Sequence, residues 1–555
     1  MNVQNRRSFL QFLGRASLSI TAGGLLLSNN ACSGADHNNA VNSPPTPTNA
    51  SPFPLKAIPH SSSDNLDLAE GLQYEVLLQW DDLISEKDRF GFNNDYIAFV
   101  PFDNNDPTDG MLWVNHEYLD SLFVSGFTGK DLSKKTKEQV DKEMYAVGGS
   151  LVRIKKNDQG QWKPVINDPM NRRLTAQTAI PFDWEEPILG ANTAIGTFAN
   201  CSGGVTPWGT ILTCEENYDM FYGETDYTGD QPKRIFSSYD YGWSKHYDYP
   251  PEHYGWVVEV NPQTGAAKKL VALGRCAHEC ATVHQTKDGR LVVYSGDDSN
   301  DECLYKFISN EPENLRDGKL YVANTEKGEW ISLVYDEQPI LQEKFKNQTE
   351  VLIRLREAAK LVGGTPLNRP EDIEIDPLTG DVLIALTNNK PKGDYLGQIL
   401  KIEEADVDNK TSLSFKASTF LAGGEETGFA CPDNMAFDTK GNLWFTSDIS
   451  GSAINKAPYE AFGNNGLFLV PSWGEHKGKV LQIASAPVDA EFTGPFFAPD
   501  GETLFLSVQH PGERSKSLDA LTSNWPNGGN ELPKSSVVCI SGDAFLELFK
   551  ETETT

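Results

Sequence analysis

An all-β fold, a six-bladed β-propeller with helical insertions between its blades, is predicted from three features of the sequence. A hairpin pattern recurs six times, further short apolar strands lie between the copies, and only two stretches carry helical spacing. In each copy a polar or glycine-rich lead-in opens a short apolar strand. A turn built on Asp, Pro, Thr or Gly follows, and a second alternating strand ends in polar residues.

The first copy runs from Asn93-Asn94-Asp95 through YIAFV, a turn at Asp109-Gly110 and MLWV to Asn115-His116-Glu117. The second, residues 200–217, reads NCSGGVTPWGTILTCEEN. It sets Cys201 before a Gly-Gly pair and closes on Glu215 and Glu216. The third passes from His278-Glu279 through CATVH and LVVYSG to Asp297-Asp298, and the fourth from Arg369-Pro370-Glu371-Asp372 through VLIAL to Asn388-Asn389. The fifth leads from Cys431-Pro432-Asp433-Asn434 through LWFTS to Asp448, and the sixth from Thr493-Gly494 through LFLSV to Gln509-His510. Strands such as GWVVEV at 255–260 and KKLVAL at 268–273 lie between copies, while 299–368 shows no clear pattern. The helical stretches, 132–146 and 337–361, fall between blades, where they would pack on a rim or cover the channel.

The ends of the chain carry a different signal. Arg6-Arg7 precedes an apolar run at 16–27 that is too short for a membrane span. Residues 1–35 therefore read as a twin-arginine export signal, cleaved after Ala35, with the twin-arginine export machinery as partner. Lipid attachment at Cys32 is the rival, and Asn29 and Asn30 fit it badly. Residues 36–65, rich in Pro, Ser and Asn, read as a linker with nothing to pack, and 66–555 as one propeller domain. The expected product is a monomer, periplasmic or extracellular, with no membrane span. A net charge of −30 argues against nucleic acid as a partner. Of the eight cysteines, seven follow the signal, an odd number, and none form a CxxC pair.

In a propeller the first strand of each blade lines the channel, so lead-ins and polar ends of all copies meet at one mouth. That places Asn94, Asp95, Glu117, Cys201, Glu215, Glu216, His278, Glu279, Asp297, Asp298, Arg369, Glu371, Asp433, Asn434 and His510 together. Any one Asp or Asn at a strand end is an ordinary turn residue; the recurrence is what carries weight. So many carboxylates need cations, and a thiolate among them favours a softer metal than carboxylates alone. Arg369, the one arginine of the set, could clamp a phosphate oxygen beside such metals. No Ser-His-Asp pattern and no Walker loop is present: Gly363-Gly364 lacks the following Gly-Lys.

At these residues the sequence resembles the PhoX family of secreted alkaline phosphatases. The resemblance covers nearly the whole chain and rests on FGFNNDYIAF (90–99), VNHEY (114–118), NCSGGVTPWGT (200–210), GRCAHE (274–279), GDD (296–298), NRPEDIE (368–374), ALTNN (385–389), PDNMAFD (432–438), GNLWFTSD (441–448) and VQHPGE (508–513). It implies two irons bridged by an oxo group and three calciums in the channel, and hydrolysis of small phosphomonoesters, with diesters also in reach. Cys201 would be the iron thiolate, Glu279 and Glu371 carboxylates of the cluster, and Arg369 the phosphate contact. Glu215, Glu216, Asp297, Asp298, Asp433 and Asn434 would be further ligands, with Asn94, Asp95, Glu117 and His278 as additional metal or substrate contacts. The sequence departs from the family at Cys431, where a small hydroxyl residue is usual, and at Cys214 beside Glu215. Two other readings share the geometry: a calcium-dependent propeller esterase or lactonase, and a calcium-stabilised binding propeller without activity. Cys201 and Arg369 separate the first reading from the esterase or lactonase, and the binding propeller predicts no iron and no activity.

Overall fold

The computed structural model describes residues 52–103 and 105–550. The proposed export signal lies outside the described residues. Six sheets of four or five antiparallel strands form the blades. Their innermost hairpins are the six copies found in the sequence: Asn94–Asp103 with Asp106–His116, Asn200–Val205 with Ile211–Glu215, Thr282–Gln285 with Leu291–Gly296, Pro370–Ile375 with Val382–Leu386, Pro432–Phe437 with Leu443–Ser447, and Glu491–Phe497 with Leu504–Gln509. We number the blades 1 to 6 in that order. Second strands of the hairpins, such as Ile211–Glu215, Val382–Leu386 and Leu504–Gln509, are buried on both faces, so they read as apolar runs rather than clean alternation.

The ring closes through the start of the chain. Asp67–Leu68 adds an outer strand to blade 5 beside Leu481–Ser485, and Gln73–Gln79 adds one to blade 6 beside Ser536–Ser541. Neighbouring blades are joined by aromatic and aliphatic side chains. Phe99 and Trp162 of blade 1 meet Phe505 of blade 6 with ring centroids 6.2 and 5.3 Å away. The expected linker is partly packed: Phe53 and Leu55 are buried and Phe53 lies against Trp473, because an apolar pair in an otherwise polar stretch finds the outside of blade 5. Among the described residues no helix is long and apolar enough to cross a membrane.

Three local expectations change. The first hairpin turns between Asp103 and Asp106, not at Asp109-Gly110. Gly110 is a strand residue, glycine because a Cβ there would lie 2.4 Å from the Val100 carbonyl. The 132–146 stretch is a single turn at Leu132–Lys134 and a helix at Lys137–Ala146, started by a capping box between Thr136 and Gln139. It lies within blade 1, between its second and third strands, rather than between blades. The 337–361 stretch is three short helices, Pro339–Lys344, Gln348–Ile353 and Leu355–Val362. Asn347 caps the second, and Arg354 leaves helical geometry before the third. The unpatterned region 299–368 also holds the three outer strands of blade 3.

Candidate metal centre at the channel mouth

A small backbone device repeats on the inner strands. In blades 1, 2, 4, 5 and 6 the register slips within the first half of the strand, between Asn94 and Ile97, Asn200 and Gly203, Pro370 and Ile373, Pro432 and Met435, and Thr493 and Phe496. In blade 3, His278 bridges Asp297 while Thr282 pairs with Tyr294, one residue more on the inner side. Each is a β-bulge, which re-aims side chains that alternation would send apart. The first bulged residue of blades 1, 2, 4 and 5 is Asp95, Cys201, Glu371 or Asp433, and all four line the mouth. The residue after each (Tyr96, Ser202, Asp372, Asn434) lines a second cavity further along the channel. Asn93, Ala199, Arg369 and Cys431, just before four of these strands, have φ between 46° and 53°. For Ala, Arg and Cys that left-handed backbone costs roughly 1–2 kcal/mol each, strain of a kind that collects at functional sites.

The mouth is a cleft of about 200 Å³. Three overlapping triads in it bring one ligand atom per residue within 4.8 Å of one another: Asp95, Glu117 and Cys201; Cys201, Glu216 and Glu279; Glu279, Glu371 and Asp433. Cys201 and Glu279 each belong to two, so the seven residues make one continuous string. Inner strands and their lead-in supply Asp95, Cys201, Glu279, Glu371 and Asp433. Glu117 and Glu216 follow the ends of second strands.

The electrostatics of this cluster are unfavourable without cations. Burial, then the neighbouring carboxylates, push Asp95, Glu216, Glu279 and Asp433 well above the usual carboxylate range. Burial also raises Glu371 despite the opposing Arg369 guanidinium, and burial with Asp95 and Glu279 beside it raises the Cys201 thiol. Asp95 Oδ1 and Glu279 Oε2 are buried without a hydrogen-bond partner. Unpaired buried oxygens are rare and costly, and here they sit among converging anions. The donor set therefore fits metal: two triads share a thiol, and the third offers oxygen alone.

Arg369 is held from three sides. Its Nε and Nη2 donate to the two oxygens of Asp298 at 2.9 and 2.8 Å, and Nη2 also meets Glu371 Oε1 at 2.7 Å. Nη1 has only Asp448 at 3.6 Å and is left toward the cleft.

Several expected residues stand elsewhere. Glu215 is buried against Lys269 at 2.6 Å, and its other oxygen accepts from the Gly255 and Trp256 amides. Strand alternation turns it away from Glu216. Asp297 pairs with Arg356 at 2.5 Å and accepts from the Ala277 amide. His278 is fixed by Ser295 and the Gly274 carbonyl, at 2.7 and 2.8 Å. The Asn94 amide oxygen, in its hydrogen-bonded orientation, accepts from the Ser536 and Val537 amides of blade 6. Asp298 reaches the mouth but spends both oxygens on Arg369. Asn434 touches the cluster through Nδ2, which donates to Glu279 and Asp433 at 3.3 and 3.2 Å, because its oxygen accepts from the Gly494 amide at 2.7 Å. A donor cannot also be a ligand there. All seven described cysteines are free, and Cys214 and Cys431 are buried outside the cleft.

Four ionisable residues of the mouth were not among those expected there. Asp448 ends the fifth copy where Glu117 ends the first, a signal present in the repeat itself. Glu491 starts blade 6 two residues before the Thr493-Gly494 lead-in, and Tyr118 and Glu513 come from loops beyond the hairpins. His510 lies on the rim as expected, with Nε2 3.1 Å from Glu491. Burial opposes its charge, but Glu513 and Glu491 outweigh it and push the imidazole up to about 10.

A search of curated protein sequences finds no significant match. Among solved structures the fold is similar to PhoX of Pseudomonas fluorescens in complex with vanadate, a transition state analogue. The TM-score is 0.78 at 28% identity, over 88% of this chain and 98% of that one. A Dyadobacter fermentans protein of unknown function aligns over 85% of this chain and 100% of its own with a TM-score of 0.40 at 11% identity. The family model for alkaline phosphatase PhoX matches residues 53–512, a span that holds every mouth residue but Glu513. The chain thus belongs to the PhoX family of alkaline phosphatases and is a phosphoryl hydrolase.

Proposed function

We propose that the protein hydrolyses small phosphomonoesters, with diesters also in reach, at a mixed iron and calcium centre in the channel mouth, after export by the twin-arginine route as a monomer. The observation that carries the metal reading is the string of six acids and one thiol around two unpartnered buried oxygens. The Cys201 triads suit iron, and the all-oxygen triad of Glu279, Glu371 and Asp433 suits calcium. Charge supports several ions. Ten carboxylates and one thiol line the cleft against one arginine and one histidine, an excess of roughly nine negative charges when all are ionised. Two ferric ions, three calciums and an oxide would carry about ten positive charges in return.

Such ions, when bound, polarise phosphoryl oxygens and acidify water. The chain's own residues do the rest. Asp298 and Glu371 fix the Arg369 guanidinium in one plane, so binding a phosphate oxygen through Nη1 costs little further ordering. Arg369 then offsets the charge that grows on the phosphoryl oxygens in the transition state. Its left-handed backbone and the following Pro370 hold the side chain's root at the start of the blade 4 strand. Gly451 leaves room for the Glu513 carboxylate on the rim: a Cβ there would sit 2.1 Å from Oε1. The vanadate complex of the Pseudomonas fluorescens relative supports a site built for a phosphoryl group in its transition-state geometry.

The test is turnover of p-nitrophenyl phosphate at alkaline pH by the natively exported protein. Hydrolysis abolished by a chelator and competitively blocked by vanadate is expected. A protein inert on phosphate esters, or fully active after exhaustive chelation, would sink this reading.

A further inference from the structure

The acids of the mouth are spaced by neutral side chains. Gln509 Nε2 donates one N–H to Asp95 Oδ2 and the other to Glu117 Oε2, both at 2.9 Å. Asn217 Nδ2 does the same between Glu117 Oε1 and Glu216 Oε2, at 3.3 and 2.7 Å. Asn434 Nδ2 lies between Glu279 and Asp433. A primary amide thus stands between the members of each of three carboxylate pairs; Asp95 with Glu117 and Glu279 with Asp433 each lie within one triad, and Glu117 with Glu216 links the two triads that share Cys201.

We propose that Gln509 and Asn217, with Asn434 on the opposite side, are positioning residues that set the spacing and the free oxygens of the metal-holding acids, an inference that rests on the metal-dependent reading. The physical reason is charge. Two buried carboxylates kept within reach of one cation repel each other before it arrives. A lysine or arginine between them would relieve the repulsion but also repel the metal. An amide supplies two N–H donors in a fixed fork and no net charge, so it holds both acids and leaves their charge for the cation. The clamp also selects which oxygen is free. Asp95 Oδ2 takes both the Gln509 amide and the Cys201 thiol, whose Sγ is 3.5 Å away, and Oδ1 is left unpartnered.

Gln509 is the strongest case. It is fully buried, and its own Oε1 finds no partner. Nothing in the described fold but the two acids makes use of this amide. It ends the second strand of blade 6, while the acids it spans start and follow the inner hairpin of blade 1. The clamp therefore crosses the seam where the ring closes.

The experiment compares natively exported wild type with Gln509→Met, which keeps the length and removes both donors, and Gln509→Glu, which replaces them with an acceptor. Iron and calcium per chain, the thiolate-to-metal absorption band, kcat and KM are measured, together with unfolding in excess chelator. Both variants are expected to lose about 10–100-fold in metal affinity or kcat, to weaken the absorption band, and to leave KM nearly unchanged because Arg369 is intact. In chelator, Gln509→Met should melt close to wild type. A Gln509→Met protein with the wild-type metal complement, band and kcat would overturn the proposal. If that variant does not fold, Asn217→Ala, at a less buried position, carries the same test, and unchanged metal content there overturns it equally. Wild type that holds no metal at all overturns the metal reading itself, and this inference with it.

Discussion

Glu215 and Glu216 are adjacent and chemically identical, yet they stand on opposite sides of a strand end. One meets Lys269 in the blade, the other the mouth. At this pair burial outweighs mutual attraction at both ends, raising Glu215 and lowering Lys269. Such a pair stabilises little as a whole but is costly to break. Glu215→Gln is therefore expected to lower stability by about 3–5 kcal/mol in denaturant unfolding while the metal content of the folded fraction stays at the wild-type level. Glu216→Gln should do the reverse. Cys201→Ala should keep the fold and lose the iron with the activity, read by elemental analysis; iron retained in that variant would remove the thiolate role. Arg369→Ala should keep its metals and lose about 100-fold or more in kcat, the cost of one preorganised donor at a developing charge. An unchanged rate would take it out of the reaction. The sequence told which residue types meet at the mouth, because each copy begins and ends in them. It could not tell Glu215 from Glu216, Asp297 from Asp298, or ligand oxygen from donor nitrogen on Asn434, since those depend on strand direction and on partners such as Lys269 and Arg356.

The hairpins were legible because turn chemistry and apolar runs are local: Asp438–Asn442 and Asp500–Thr503 close by side-chain to backbone hydrogen bonds that the residue types foretell. The bulges were not. A bulge adds one residue without changing composition, and it is the bulge that puts Asp95, Cys201, Glu371 and Asp433 on the channel axis. Likewise 337–361 reads as one helical stretch, and only the cap at Asn347 and the break at Arg354 divide it. Close approach of blades fixes other choices. A Cβ on Gly203 would lie 2.8 Å from the Tyr96 ring of blade 1, and one on Gly204 2.1 Å from the Ala281 carbonyl in the next blade. Gly204→Ala is expected to destabilise by about 1–3 kcal/mol in denaturant unfolding, and to loosen the metal as Cys201 shifts with its strand. A neutral effect on stability would show that blades 2 and 3 are not in contact there.

At the scale of the molecule, six blades converge a set of anions that no single blade could hold charged. Without metal, burial favours the protonated form of Glu491 at the mouth, raised to about 8, and of Asp372 in the second cavity, raised to about 6. A raised acid keeps its proton in the folded chain after the unfolded chain has released it. Its stabilising contribution is full below the unfolded value and is lost as pH rises through the folded one. The stripped protein should therefore melt lower at about pH 8.5 than at about pH 5.5, and added metal should recover more stability at the higher pH. Equal melting temperatures across that range would contradict the clustering. The packing of residues 52–65 against blade 5 and the closure of the ring by Gln73–Gln79 were beyond a local reading, since both join residues some 400 positions apart. The central claim, a mixed metal centre gathered by the ring, is tested most directly by elemental analysis of the natively exported protein in the same sample that turns over p-nitrophenyl phosphate. Iron and calcium together, both lost with activity on chelation, is the expected result. Active protein that contains no iron would contradict it.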